Sequence, residues 1–526
     1  MLSIPQRILG EALIRSEVKY PLKTAIIADG KEYTYSDLTK ASLRIAGHLI
    51  SSGLLKGDRV AIYMNNSWQS AASIYGITLA GGVFLVINPQ TKTDKLNFIL
   101  NDSGASIVIS EIHLKDTLLQ ALKNALSVQE VILSGDNSKL SNENKPIRIF
   151  IFDLILNEDT ADSNLPAIIP SDLAALIYTS GSTGFPKGVI MTHLSMVFTC
   201  WSLIEYLRLT EDERIILLLP LAFDYGLYQL LLSVTIGGTL IIEQSFSFPE
   251  TIFEDMRKLT PTIFPGVPTI FALMIESYKK TGLSFDFVRK ITNTAATLPS
   301  EFIPYLKKIF PDALIFKMYG LTECKRVCYL EPELIDEKPE SVGKAIPGTE
   351  VLILNKEGNP VNIGESGILY IRGPHLMAGY WNQKELTNEM LKPGKFPGEK
   401  MLCSHDLFRM DKDGFLYFLG RTDEIIKTRG EKVSPVEIEN IIYKIKGIKE
   451  VGVIGYPDRI LGESVIAFVS MLNEVMFKED GIRKFCMANL ELFMVPNRVF
   501  LLEQIPKNPN NKIDKKKLKE IASLLL

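Results

Sequence analysis

The 526 residues exceed what one hydrophobic core organises, so at least two domains are expected. Hydrophobic residues make up 46% and charged residues 23%, and the formal net charge of -3 lacks the basic excess of a nucleic-acid binder. The five cysteines (Cys200, Cys324, Cys328, Cys403, Cys486) are scattered and form no C-x-x-C pair, which excludes a disulfide framework and a cysteine zinc site and predicts a reduced, cytoplasmic protein.

The start, Met1–Tyr20, mixes charges into an amphipathic pattern and lacks the apolar core of a signal peptide. A helix is expected over Asp37–Leu55, and strands over Arg59–Met64, Ala105–Ser110 and Ala174–Thr179. This alternation predicts α/β layers with largely parallel sheets. Ile215–Ile242 is apolar enough to suggest a membrane span. Pro220, Asp224 and the pair Gly237-Gly238 divide it into a strand at Ile215–Leu219, a helix beginning near Asp224 and a strand at Thr239–Ile242.

From Glu365–Arg372 the character changes. SGILYIRG and DGFLYFLG read as strands of a β-rich, hairpin-rich subdomain, with a charged, turn-rich stretch at Asn382–Lys400 between them. A boundary near Arg421–Glu424 separates a large N-terminal domain, 1–422, from a small α+β domain, 423–526. The lysine-rich end, KNPNNKIDKKKLKEI, including Lys515–Lys517, reads as a solvated tail. There are no internal repeats.

AALIYTSGSTGFPKGVIMTH is the most informative segment. A buried strand ends at Thr179 and runs into Ser180, Gly181, Ser182, Thr183, Gly184, Phe185, Pro186, Lys187 and Gly188. Glycines let the backbone curl its N–H groups against an anion, hydroxyls add donors, and Lys187 adds a positive charge. The pattern suits a polyphosphate. It is not G-x-x-x-x-G-K-[ST], because the spacing differs and no hydroxyl follows the lysine. A flexible surface loop is the alternative on composition alone.

With this loop, MYGLTE at Met318–Glu323, SHDLFRMDKDGFLYFLGRTDEIIKTRGEKVSPVEIE at Ser404–Glu439 and PKNPNNKID at Pro506–Asp514 follow in order. The chain resembles the adenylate-forming superfamily of acyl- and aryl-CoA ligases, luciferases and peptide-synthetase adenylation domains over nearly its whole length. The resemblance implies ATP and Mg²⁺, a two-step reaction through an acyl-adenylate, and a C-terminal domain that rotates between the steps. It implies that Glu323 binds Mg²⁺, that Tyr319, beside Gly320, stacks on adenine, and that Thr322 contacts the phosphates or the adenylate. Asp406 and Arg421 correspond to the ribose-binding pair. Lys512 corresponds to the lysine that bridges the carboxylate and the α-phosphate. Asp423 matches the hinge, and Lys427 and Gly430 match the face used in thioester formation. The sequence departs from the family at His405 and Asn511, where glycines are usual; His405 is expected to point outward and Asn511 to tolerate the turn.

Asp224, within LPLAFDYGLYQLL, is the clearest clue to the acid. A carboxylate in an apolar setting needs a partner. By resemblance that partner is the α-ammonium of an amino acid; the alternative is an N-cap of the following helix. Tyr225, Tyr228, Thr269, Ile291, Asn293, Met318, Arg326 and Val327 align with pocket positions of amino-acid-activating relatives. The segment YGLTECKRVCYLEPE resembles stand-alone prolyl-activating enzymes. These likenesses imply L-proline loaded onto the phosphopantetheine of a separate carrier protein. The alternative is a fatty or aryl acid ligated to free CoA. Arg326 either faces the pocket and favours an acidic substrate or braces the motif by pairing with a carboxylate.

Overall fold

A computed structural model describes residues 6–135, 147–157, 164–179, 186–244, 249–294, 296–422, 424–428, 431–471, 478–508 and 512–526. The apolar runs before Glu350 pair into two large, mainly parallel sheets. One runs from Gly379–Tyr380 through Lys187–Thr192, Leu173–Thr179, Val83–Ile87, Arg59–Tyr63, Ile107–Glu111 and Glu130–Ser134 to Arg148–Ile151. The other runs from Lys344–Ala345 through Cys328–Leu330, Leu314–Tyr319, Lys290–Asn293, Ile263–Gly266, Arg214–Leu217, Thr239–Ile242 and Thr24–Ala28 to Lys31–Thr34. Val83–Ile87 and Thr239–Ile242 are buried at every position, as strands covered on both faces must be.

Helices Tyr35–Ser51 and Trp68–Leu79 pack on each other and join residues of both sheets in one hydrophobic core. Each opens with a capping box, Thr34 with Asp37 and Ser67 with Ser70. The segment Ile215–Ile242 divides as its sequence implies, into strand Arg214–Leu217, helix Asp224–Ile236 and strand Thr239–Ile242. No helix among the described residues is long and apolar enough to cross a membrane. Helix Asp224–Ile236 comes very close to the turn before it. A Cβ on Gly226 would lie 2.3 Å from the Pro220 carbonyl oxygen, so a side chain there would push Asp224 out of place.

The β-rich region is antiparallel. Ser366–Arg372 lies between Glu350–Leu354 and Lys400–Met410, and Leu416–Arg421 pairs with Lys400–Met410. Asn382–Lys400 is more ordered than its charge suggests, because it contains helix Lys384–Met390 and strand Leu391–Pro393. Thr387 anchors that helix by accepting the Tyr380 N–H at 2.9 Å.

The last sheet orders Glu431–Val433, Ile426–Thr428, Gly462–Met471 and Ile448–Asp458, with Arg498–Leu501 alongside Gly462–Met471. The lysine-rich end is not a solvated tail. Asp514 accepts the Lys517 N–H at 3.2 Å and caps helix Lys515–Leu525, which buries Leu518 and Ala522 against Ile454, Ile466 and Phe468.

Candidate active site

Strands Leu173–Thr179 and Lys187–Thr192 run antiparallel, with Thr179 opposite Lys187. Ser180, Gly181, Ser182, Thr183 and Gly184, which join them, lie outside the described residues. Tyr178 donates its hydroxyl to Asp102 Oδ2 at 2.6 Å. Lys187 Nζ sits 5.7 Å from the ring centroid of Tyr380. The Tyr380 hydroxyl donates to Glu323 Oε1 at 2.6 Å, and the Met377 N–H donates to the Glu323 carbonyl at 2.7 Å. The loop's base and the motif glutamate therefore meet around Tyr380. Burial and the Glu323 charge push that phenol above its ordinary value, so it stays a donor. Sequence reasoning missed Tyr380; its place follows from the pairing of Gly379–Tyr380 with the strand after the loop.

Strand Leu314–Tyr319 delivers the next motif. Lys325 sits in left-handed backbone at φ 66, and a Cβ on Gly320 would lie 2.0 Å from its carbonyl oxygen. Only glycine allows this fold-back. It buries Lys325 completely, with Nζ donating to the Thr322 carbonyl at 2.8 Å. Lys325 also escaped the sequence reading, since a lysine is ordinarily solvated.

Asp406 and Arg421 face each other across an antiparallel pair, and Arg421 Nη1 lies 3.4 Å from Asp406 Oδ1. The Tyr319 hydroxyl donates to Asp406 Oδ2. The Tyr319 ring packs on Phe408 and Phe418, with centroids at 4.9 and 5.8 Å. Tyr319, Asp406 and Arg421 thus form one cluster. His405 has φ 56, the left-handed backbone its usual glycine supplies. Its ring is partly exposed, with Nε2 3.9 Å from Glu389.

Lys512 lines a cavity of about 220 Å³ together with Thr269, Thr297 and Phe418 on one wall and Tyr443 on the other. The Lys512 N–H donates to Asn508 Oδ1 at 3.1 Å. Lys515 reaches Glu424 at 2.8 Å and Glu439 at 3.6 Å. Burial opposes its charge, but the two carboxylates outweigh burial and hold its pKa above the usual lysine range. The Lys427 side chain is exposed, and its N–H donates to Glu463 Oε2 at 2.7 Å. Asp423, Gly430 and Asn511 lie outside the described residues.

Asp224 is not an N-cap: Phe223 holds that position, and Asp224 is the first helical residue. Asp224 Oδ2 lies 3.8 Å from Arg326 Nη1. Arg326 is 3% exposed, donates from Nη1 to the Lys325 carbonyl at 2.7 Å, and sits 5.0 Å from the Tyr225 ring centroid. Burial depresses the Lys325 pKa, and Asp224 and Glu323 oppose that shift, so both cations share the carboxylate's field.

Tyr225 and Tyr228 are core residues. The Tyr225 hydroxyl donates to the Thr292 carbonyl at 2.7 Å, and that of Tyr228 lies 3.5 Å from the Met196 carbonyl. Met318 Sδ accepts the Tyr206 hydroxyl at 2.9 Å. Ile291 and Val327 are also fully buried. Asn293 is the register partner of Gly266, where a Cβ would meet Phe271, so it lies on the opposite sheet face from Thr292.

The AMP-binding enzyme family matches residues 14–381, and the AMP-binding enzyme C-terminal domain matches 437–512. The chain is 29% identical over 541 residues to the long-chain-fatty-acid–CoA ligase of Bacillus subtilis, covering 99% of this chain and 95% of that one. It is 28% identical over 507 residues to tyrocidine synthase 3 of Brevibacillus parabrevis, covering 95% of this chain and 7% of that one. Its fold is that of the anthranilate CoA ligase AuaEII, solved with anthranoyl-AMP, at a TM-score of 0.90, 23% identity and 98% coverage of each chain.

The chain belongs to the AMP-binding enzyme family of adenylate-forming enzymes. It is an AMP-forming acid–thiol ligase that uses ATP with Mg²⁺ to activate a carboxylic acid as an acyl-adenylate. The donor set suits the metal: Glu323 offers hard carboxylate oxygens beside the base of the glycine-rich loop. Mg²⁺ is ordinarily held by one or two carboxylates plus substrate phosphates.

Proposed function

We propose that this enzyme is an acyl-CoA ligase that joins an organic acid to free CoA by way of its adenylate. The observation that carries this reading is the charge around Asp224. Its carboxylate already faces the buried Arg326 at 3.8 Å. A substrate ammonium would be a second cation at that one carboxylate. A site built to receive an amino acid should keep that carboxylate unmatched. Full-length similarity to a CoA ligase supports the same reading.

In this reading the loop Ser180–Gly184 and Lys187 hold the polyphosphate, and Glu323 would hold Mg²⁺, whose charge would offset that of the leaving pyrophosphate. Thr322 contacts the phosphates. Asp406 accepts the ribose hydroxyls and is oriented by Tyr319 and Arg421. A substrate carboxylate oxygen attacks the α-phosphorus and the bond to pyrophosphate breaks. Lys512, projected into the cavity beside Thr269, stabilises the negative charge that develops there. The C-terminal domain, 423–526, then turns about Asp423 and presents Lys427 and Gly430. The CoA thiolate attacks the acyl carbon, and the C–O bond to AMP breaks. Separating two chemistries by rotating one domain is an established device.

A second reading, L-proline or another small amino acid loaded onto a separate carrier protein, draws support from the match to tyrocidine synthase 3. The acceptor is tested by supplying the enzyme, ATP, Mg²⁺ and its acid with free CoA and with a phosphopantetheinylated carrier in parallel. Acyl-CoA formation with no loaded carrier is expected. Loading of the carrier alone overturns the proposal.

A further inference from the structure

The same arginine carries a statement about the acid itself. Arg326 is 3% exposed and has five N–H groups to place. Nη1 is occupied by the Lys325 carbonyl and by Asp224. Nε and Nη2 are buried and have no hydrogen-bond partner among the described residues. Buried donors without acceptors are costly, and a guanidinium more so than a neutral group. Native interiors seldom keep such groups without a use.

Three further facts fix what could meet these donors. The neighbouring rings, Tyr225 and Tyr206, are themselves engaged, at Thr292 and at Met318. The carboxylate beside Arg326, Asp224, is less buried than the arginine, with 22% of its side chain exposed. Lys325, also buried, donates to the Thr322 carbonyl at 2.8 Å, and the Glu323 carboxylate accepts from Tyr380 on the nucleotide side. Arg326 thus keeps a planar pair of donors, Nε and Nη2, that Asp224 does not engage. A planar fork of N–H groups matches a carboxylate or a pair of carbonyl oxygens.

We infer that Arg326 is a specificity-determining residue that receives a second acceptor group on the substrate, so that the preferred acid carries a second carboxylate or carbonyl oxygen remote from the one adenylated. This rests on the acid-adenylating reading of the site but not on the identity of the thiol. A plain fatty acid would leave the Arg326 donors unmet, and a cationic amino group would meet the wrong charge.

The test is ATP–pyrophosphate exchange, which needs no thiol, on matched acids of equal length: adipate against hexanoate, and phthalate against o-toluate. In at least one pair the dicarboxylic acid is expected to exchange with kcat/KM at least about tenfold higher, because a site built around a hydrogen bond rejects the analogue that lacks it. Arg326→Met is expected to bring that ratio to about one or below, and Arg326→Lys to restore part of it. The wild-type comparison stands even if a variant fails to fold. Equal or better exchange with the monocarboxylic acid in both pairs overturns the inference and leaves adenylation intact. So does a preference that Arg326→Met, folded, leaves unchanged. No exchange with any acid would instead overturn the adenylating reading. Exchange without acyl-CoA formation would overturn only the choice of CoA.

Discussion

The Tyr380 hydroxyl donates a 2.6 Å hydrogen bond to Glu323 Oε1, while the Tyr380 ring lies under Lys187. One side chain therefore spaces the loop's lysine from the carboxylate assigned to Mg²⁺. Tyr380→Phe keeps the ring and removes the bond. A hydrogen bond to a charged group contributes about 1.5–3 kcal/mol, so pyrophosphate exchange should fall about tenfold or more. The Mg²⁺ concentration for half-maximal rate should move as well. An unchanged Mg²⁺ titration would remove Tyr380 from the site.

Lys512 is assigned to the first half-reaction alone. Lys512→Ala should slow adenylate formation by about two to three orders of magnitude, the cost of losing one preorganised electrostatic partner. Thioester formation from a supplied acyl-adenylate should stay near the wild-type rate. Equal loss in both half-reactions would contradict this role.

Lys515 bridges Glu424, next to the hinge position, and Glu439, and it begins the helix just after Lys512. Lys515→Gln leaves two carboxylates without their cation and should cost about 2 kcal/mol of stability. It should also loosen the turn carrying Lys512, so adenylation suffers more than thioester formation. Lys515→Arg should restore both. A stability loss with the two half-reactions equally affected would make the bridge purely structural.

His193 is buried, accepts the Leu9 N–H at Nδ1 (3.2 Å), and burial pushes its pKa down from 6.5 to about 4. The folded state therefore keeps it neutral where the unfolded chain takes up a proton. Stability from this group is complete above pH 6.5, begins to fall below 6.5, and keeps falling until about pH 4. His193→Asn, which retains an acceptor, should flatten the decline of Tm between pH 7 and pH 5. An equally steep decline in the variant would place the acid sensitivity elsewhere.

Much of the nucleotide end was legible because its residues lie inside short motifs. Asp406 and Arg421 are adjacent through one hairpin, and Tyr319 and Glu323 flank one tight turn. The acid end was not legible, because charge and pleating hid it. Lys325 looks like a surface cation until Gly320 lets the chain fold back and bury it. The hydroxyl partners of Tyr225 and Tyr228, Thr292 and Met196, lie on other segments and cannot be read from theirs. Tyr380 and Lys515 draw their importance from partners more than fifty residues away, which no local pattern reveals.

The proposed activity of this site is adenylation of an organic acid that is not an amino acid. ATP–pyrophosphate exchange over a panel of fatty, aromatic and dicarboxylic acids, with L-proline and other amino acids alongside, tests it most directly. Exchange with at least one of the non-amino acids and none with proline or its relatives is the predicted result. Exchange with proline or another amino acid while the other acids stay silent would contradict it.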